Sequence, residues 1–136
     1  MRILIIDDEP AVTGFFSQVA EMRGYETVDT VGLAEDAVPR VLRQRYDLIT
    51  VDINLPGVSG LEIIALLHDM NPHAIICVIS GFIPEEIPEE VRGCLDVLIE
   101  KPVSVDTFNE LLDGAMRISE TIEQIRAVGV DPVLVR

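Results

Sequence analysis

Several residue types in this chain could do chemistry together, and each stands at the end of an apolar run. Ile3-Leu4-Ile5-Ile6 leads into Asp7-Asp8, and Leu48-Ile49-Thr50-Val51 leads into Asp52. Ile75-Ile76-Cys77-Val78-Ile79 leads into Ser80-Gly81, and Val97-Leu98-Ile99 into Glu100-Lys101-Pro102. If the runs are neighbouring parallel strands, carboxylates, a hydroxyl and an ammonium meet at one sheet edge. Like charges at about 4 Å cost on the order of 4 kcal/mol per pair at an effective dielectric of 20, so clustered carboxylates call for a counter-charge. A divalent cation supplies it, and an oxygen-only donor set with no His or Cys nearby favours magnesium over zinc. Asp52, ending a run that reads as a central strand, could attack phosphorus and form an acyl phosphate. Lys101 would balance the incoming charge and the Ser80 hydroxyl could donate to a phosphoryl oxygen.

The elements that must position these residues are legible from hydrophobic period. Strand-like runs near residues 2–7, 26–31, 47–52, 74–80 and 96–100 alternate with segments of helical spacing, which fits five strands and five helices. The first helix carries Val12, Phe15, Phe16, Val19 and Met22 and stops at Arg23-Gly24. A second spans about 34–45 with Ala37, Val38, Val41 and Leu42, although Pro39 inside it should cost about 3 kcal/mol or kink it. A third follows Pro56-Gly57-Val58-Ser59-Gly60, turns Ile63, Ile64, Leu66 and Leu67 inward and ends at Asn71-Pro72. Between Gly81 and Gly93 a tandem duplication, Ile83-Pro84-Glu85-Glu86 and Ile87-Pro88-Glu89-Glu90, leaves room only for a short helix at 88–93 with Pro88 first. The last helix starts near Val105, capped by Ser104 or Asp106. Its Phe108, Leu111, Ala115, Ile118, Ile122 and Ile125 form a seven-residue seam that outruns a five-stranded sheet. That seam reads as a long helix with a frayed end or as a dimerising or partner-binding extension.

This alternation implies an α/β fold, a doubly wound parallel sheet with right-handed crossovers and ligands beyond the carboxyl ends of the strands. With 136 residues the chain is one domain's length, and its 49% hydrophobic content, poor in aromatics, suits a sheet covered by helices. Ten basic against twenty-four acidic residues give a net charge of −14, which argues against direct binding to nucleic acid or to anionic membrane surfaces. No stretch reads as a signal sequence or membrane span, and the expected location is the cytoplasm. Cys77 and Cys94 lack the spacing of a disulfide or metal site. His68 and His73 read as surface residues, Glu62 and the Glu pairs of the duplication as solvated faces, and residues 129–136 carry no readable role.

Taken together, Ile5-Ile6-Asp7-Asp8-Glu9-Pro10, Val51-Asp52-Ile53-Asn54-Leu55-Pro56-Gly57 with Gly60-Leu61-Glu62, Ile79-Ser80-Gly81 and Glu100-Lys101-Pro102 resemble the receiver domain of two-component response regulators, over residues 1 to about 116. The resemblance implies a flavodoxin-like strand order 2-1-3-4-5, with residues 1–118 as the receiver domain and 119–136 as a helical extension and tail. It implies that Asp52 is the phosphoacceptor, that Asp7, Asp8, Asp52 and the backbone carbonyl of Asn54 hold Mg2+, that Ser80 is the switching hydroxyl, and that Lys101 contacts the phosphoryl group. Pro102 would fix the lysine's loop, often through a cis bond. The implied partners are a sensor histidine kinase or histidine phosphotransfer protein, and a downstream protein or a second copy through the final helix. The only chemistry implied is self-phosphorylation and self-dephosphorylation, as part of a phosphorelay switch rather than an enzyme.

Two departures stand out. Receivers commonly place Tyr or Phe three residues before the loop lysine, and here that residue is Leu98. The readout is therefore expected to pass through residues 81–94 rather than a ring flip. Phe82, two after Ser80, is expected to hinder water and lengthen the phosphoryl lifetime, with Asn54 at the other variable position beside the attacking water. A magnesium-dependent aspartyl phosphatase is the competing enzyme reading, weakened by Asn54 where such enzymes carry a second acid. A receiver fold used as a constitutive binding scaffold is the third, which the intact acids and Lys101 argue against.

Overall fold

Runs of Ile, Leu and Val are stiff at χ1 and fit a pleated surface buried on both faces, and here they form the sheet. The computed structural model describes residues 1–25 and 27–135. The strands are β1 (Arg2–Ile6), β2 (Thr27–Val31), β3 (Leu48–Val51), β4 (Ile75–Ser80) and β5 (Val97–Glu100). All pair in parallel, in the order β2-β1-β3-β4-β5. The expected start of the second strand at residue 26 lies outside the described residues. The helices are α1 (Pro10–Met22), α2 (Ala34–Arg43), α3 (Ile64–Met70), α4 (Glu89–Arg92) and α5 (Val105–Arg126).

Because successive strand side chains point to opposite faces, each central strand feeds two cores. Leu4, Ile6, Ile49, Val51, Ile76 and Val78 pack beneath α2, α3 and α4 through Ala37, Val41, Ile64, Leu67 and Val91. On the other face Ile3, Ile5, Leu48, Cys77 and Ile79 pack against Phe16 and Ala20 of α1 and Phe108, Leu112 and Ala115 of α5. Phe16 and Phe108 stack with centroids 4.3 Å apart, and Arg23 at the end of α1 reaches Asn109 and Asp113 of α5.

Some sequence expectations are corrected in detail. Pro39 lies inside α2, as expected, and on its exposed side, where the missing N–H leaves one carbonyl to water. That helix stops at Arg43, short of residue 45. Pro88 is the cap of α4 rather than its first residue. Leu66 is exposed, a quarter-turn off the stripe of Ile63, Ile64 and Leu67. Ser104, not Asp106, caps α5, its hydroxyl accepting from Thr107 N at 3.1 Å. The seam of α5 is also rotated: Phe108, Leu112 and Ala115 are buried, Leu111 and Ile122 half-buried, and Ile118 and Ile125 exposed. A straight helix drifts about 20° per heptad against a seven-residue repeat, so such a seam turns away from a flat partner.

Candidate functional site

Three backbone hydrogen bonds carry the ladders past the strands and set the site. Asp7 N donates to Val31 O at 3.0 Å, Asp52 N to Ile6 O at 2.9 Å, and Lys101 N to Ser80 O at 2.9 Å. The two buried aspartates then shape their own loops in the same way, each carboxylate accepting from the N–H two residues on. Asp7 Oδ1 accepts from Glu9 N at 2.9 Å, which leads into α1 with Pro10 in its first turn. Asp52 Oδ1 accepts from Asn54 N at 3.0 Å.

The loop after Asp52 returns close to its start. Gly57 holds φ +76°, and Gly60 N donates to Ile53 O at 3.0 Å. Gly60 can be nothing larger here, because a Cβ would land on the Asp52 carbonyl oxygen and within 2.8 Å of Val51 Cγ1. Ser59 and Glu62, the latter expected to be merely solvated, form a capping box: Leu61 N donates to Ser59 Oγ and Ser59 N to Glu62 Oε2. The Ser-x-x-Glu spacing was the sequence signal for it.

Asp7, Asp52 and Ser80 are buried, whereas Asp8, Glu9 and Asn54 are exposed. Ser80 Oγ donates to Asp52 Oδ1 at 2.9 Å. Lys101, joined to Pro102 by a cis peptide, places Nζ 2.8 Å from Asp7 Oδ2, 3.0 Å from Glu9 Oε1 and 3.0 Å from Asp52 Oδ2. Glu9 is thus a member of the site that no role in the sequence reading foresaw; its only signal was its place in the Asp-Asp-Glu run. Burial works to lower the Lys101 pKa, but hydrogen bonds to Asp7, Asp52 and Glu9 outweigh it and hold the ammonium charged. Burial raises the Asp7 carboxyl, with a smaller push from Asp52, and Lys101 only partly reverses this.

The chemistry of the donor set fits a hard cation. Asp7, Asp8 and Asp52 each offer an oxygen, all within 4.8 Å of one another. At that separation each carboxylate pair repels by about 3 kcal/mol at an effective dielectric of 20. One ammonium faces four carboxylates, so negative charge remains, and exposed Asp8 leaves the cluster open to water. Leu98 and Phe82 are both exposed, and Phe82 N lies 3.5 Å from Ser80 Oγ. No helix among the described residues is long and apolar enough to cross a membrane.

A doubly wound sheet with an acid cluster, a hydroxyl and a lysine at its carboxyl edge defines a class of phosphoryl-accepting switches. Within that class the comparisons are specific: a family model for the response regulator receiver domain matches residues 3–113, and the chain belongs to that family. It is 34% identical over 114 residues to the polar-differentiation response regulator DivK of Brucella anthropi, covering 81% of this chain and 91% of DivK. It is 27% identical over 118 residues to a cyclic di-GMP phosphodiesterase of Thermotoga maritima, covering 86% of this chain but 31% of that protein, so it spans about a third of that longer relative. Among solved structures, the response regulator TrrA of Thermotoga maritima in complex with Mg2+-BeF superposes with a TM-score of 0.73 at 26% identity, covering 84% of this chain and 97% of TrrA. Receiver domains are phosphoryl-accepting switches of two-component signalling that bind magnesium at such an acidic pocket, and this chain has the fold and pocket of one.

Proposed function

We propose that Asp52 accepts a phosphoryl group from a phosphohistidine, and that the resulting change at Ser80 and Lys101 alters binding to another protein. The observation that carries this is the set of contacts on one buried carboxylate. Asp52 Oδ1 takes hydrogen bonds from Ser80 and the Asn54 N–H, and Oδ2 takes one from Lys101. The residues that would hold magnesium are Asp7, Asp8, Asp52 and the backbone carbonyl of Asn54. Bound there, the ion would neutralise the cluster and draw charge from the transferring phosphoryl oxygens.

The chain's own residues do the rest. A carboxylate oxygen of Asp52 forms the new O–P bond while the donor's P–N bond breaks and its electron pair stays on the imidazole nitrogen. Lys101, already at Asp52 Oδ2, needs only to turn to pair with a phosphoryl oxygen. Ser80 exchanges its carboxylate acceptor for a phosphoryl oxygen without leaving the core. Hydrolysis of the acyl phosphate, with water attacking phosphorus and the Asp52 carboxylate leaving, resets the switch.

The phosphodonor is a sensor histidine kinase or a histidine phosphotransfer protein in the cytoplasm. Output runs through a protein partner or a second copy, using residues 119–136 beyond the receiver unit of 1–118 and the flank of α5. The exposed Val97, Leu98 and Ile118 support that face. With Leu98 in place of a switching ring, the signal passes through residues 81–94. Amide exchange there should change with a phosphoryl mimic; identical exchange would sink this route. The deciding experiment is incubation with magnesium and a small phosphodonor, read by intact mass. One phosphoryl addition is expected, lost in Asp52→Asn and in chelator. An adduct that survives Asp52→Asn overturns the assignment.

A further inference from the structure

The final helix is longer than the sheet it covers. Its 22 residues span about 33 Å, whereas β4, the longest strand at six residues, spans about 20 Å. The helix runs from the carboxyl edge to the amino edge of the sheet, and its last two turns overhang the amino edge. Ser119 marks the crossing: its hydroxyl donates to Asp47 Oδ1 at 3.3 Å, just before β3. Asp47 Oδ2 accepts from Arg2 N at 2.7 Å, at the start of β1, and the main chain of Asp47 bonds both Arg2 O and Ile75 N. The overhang is therefore tied to three strand beginnings.

Beneath it lies a cavity of about 360 Å³ at the end of the sheet opposite Asp52. Its walls include Arg2 from β1, Arg45 from the turn before β3 and Arg126 from the last turn of α5. That is three of the chain's ten basic residues at one cavity, in a chain with twenty-four acids. Among the described residues, the side chains of Arg2 and Arg45 form no ion pair, and Arg126 reaches only Asp131, at 3.9 Å. Two acids also line the cavity, Asp47, whose carboxylate oxygens accept from Arg2 N and the Ser119 hydroxyl, and Glu123, and neither forms an ion pair among the described residues, so the three guanidinium groups outnumber the acids there.

We propose that this cavity binds a small polyanion, a molecule carrying phosphate or several carboxylates, gripped by Arg2, Arg45 and Arg126. Guanidinium groups suit this because their planar forks match phosphate and carboxylate oxygens. Such a ligand would clamp the overhanging end of α5 to the beginnings of the strands, with no contact to the phosphoryl site.

The test uses the full chain without magnesium, titrated with inorganic phosphate, pyrophosphate and citrate at constant ionic strength. Amide chemical shifts and the melting midpoint are followed. Saturable shifts at residues 2, 45–47, 73–74 and 119–126 are expected from at least one of the three. Affinity should fall at least tenfold in Arg45→Gln and in Arg126→Gln, rise in Glu123→Gln, and stay unchanged in Asp52→Asn. Absence of saturation up to 10 mM for all three probes overturns the proposal. So does binding that both arginine variants leave intact, or shifts centred on Asp7 and Asp52.

Discussion

Gly60→Ala should damage the fold and the phosphoryl site together. The added methyl would overlap the carbonyl oxygen of Asp52 and crowd Val51 Cγ1. Neither neighbour is a flexible side-chain end, since the first is backbone hydrogen-bonded through Asp52 N to β1 and the second is in the core. Relief requires the loop from Ile53 to Gly60, or Asp52 itself, to move by something on the order of 1 Å. Overpacking of this kind costs about 1–3 kcal/mol. For a chain of this length that lowers the melting midpoint by about 3–12 °C. A shift of about 1 Å at a reacting group can cost up to about 100-fold in rate, so phosphorylation by a small donor should slow well beyond the loss of folded protein. Gly14→Ala is the matched control: Gly14 lies in the exposed middle of α1 with nothing within 4 Å of a new Cβ. It should raise stability by up to about 1 kcal/mol, the helix preference of Ala over Gly. Thermal melts and phosphorylation time courses read both variants. A Gly60→Ala protein that melts within 1 °C of the parent and phosphorylates at the parent rate refutes the close-approach argument.

Asp7 has its carboxyl raised, chiefly by burial, so in the metal-free protein its contribution is fully present below the unfolded value near 3.8 and is lost as pH rises through the folded value. Asp7→Asn should therefore raise the metal-free melting midpoint at pH 7, with the gain shrinking toward pH 4, and should remove the stabilisation that added magnesium gives the parent; a pH-independent difference contradicts the burial argument. Burial pushes the Cys77 thiol up to about 12, whereas Cys94 is half-exposed. A thiol reagent at pH 8 should therefore modify one cysteine in the native protein and both in denaturant, and rapid double labelling of the native protein would be incompatible with the core described. Phe82→Ala should shorten the phosphoryl lifetime, because the exposed ring beside Ser80 would otherwise crowd incoming water; equal or longer decay times count against this role.

The local chemistry of the chain was legible in its sequence because it is written in periods and ends. Alternation of apolar runs with helical spacing sufficed for a parallel sheet and for the edge where Asp7, Asp52, Ser80 and Lys101 gather, since a parallel sheet sends every strand's carboxyl end to the same side, whereas the strand order followed from the resemblance to receiver domains. The Ser104 cap, read from the sequence, and the Ser59 cap, missed there, are equally local, each a hydroxyl reaching an N–H two or three residues on. What sequence spacing could not supply was anything that depends on distance across the fold. Glu9 joins Lys101 although they are 92 residues apart, and Gly60 is required by an oxygen that folds back on it rather than by its own backbone angles. The face of α5 that turns inward was misread for the same reason. A seven-residue seam describes helix against helix, but this helix packs on a sheet, whose surface selects Leu112 over Ile118. The overhang of α5 and the arginine cavity beneath it exist only because a helix of fixed rise crosses strands of fixed length. The sequence by itself determined which candidate residues gather and on which edge; the tertiary structure decided what surrounds them and where the helix ends, because those are set by packing between segments remote in the chain.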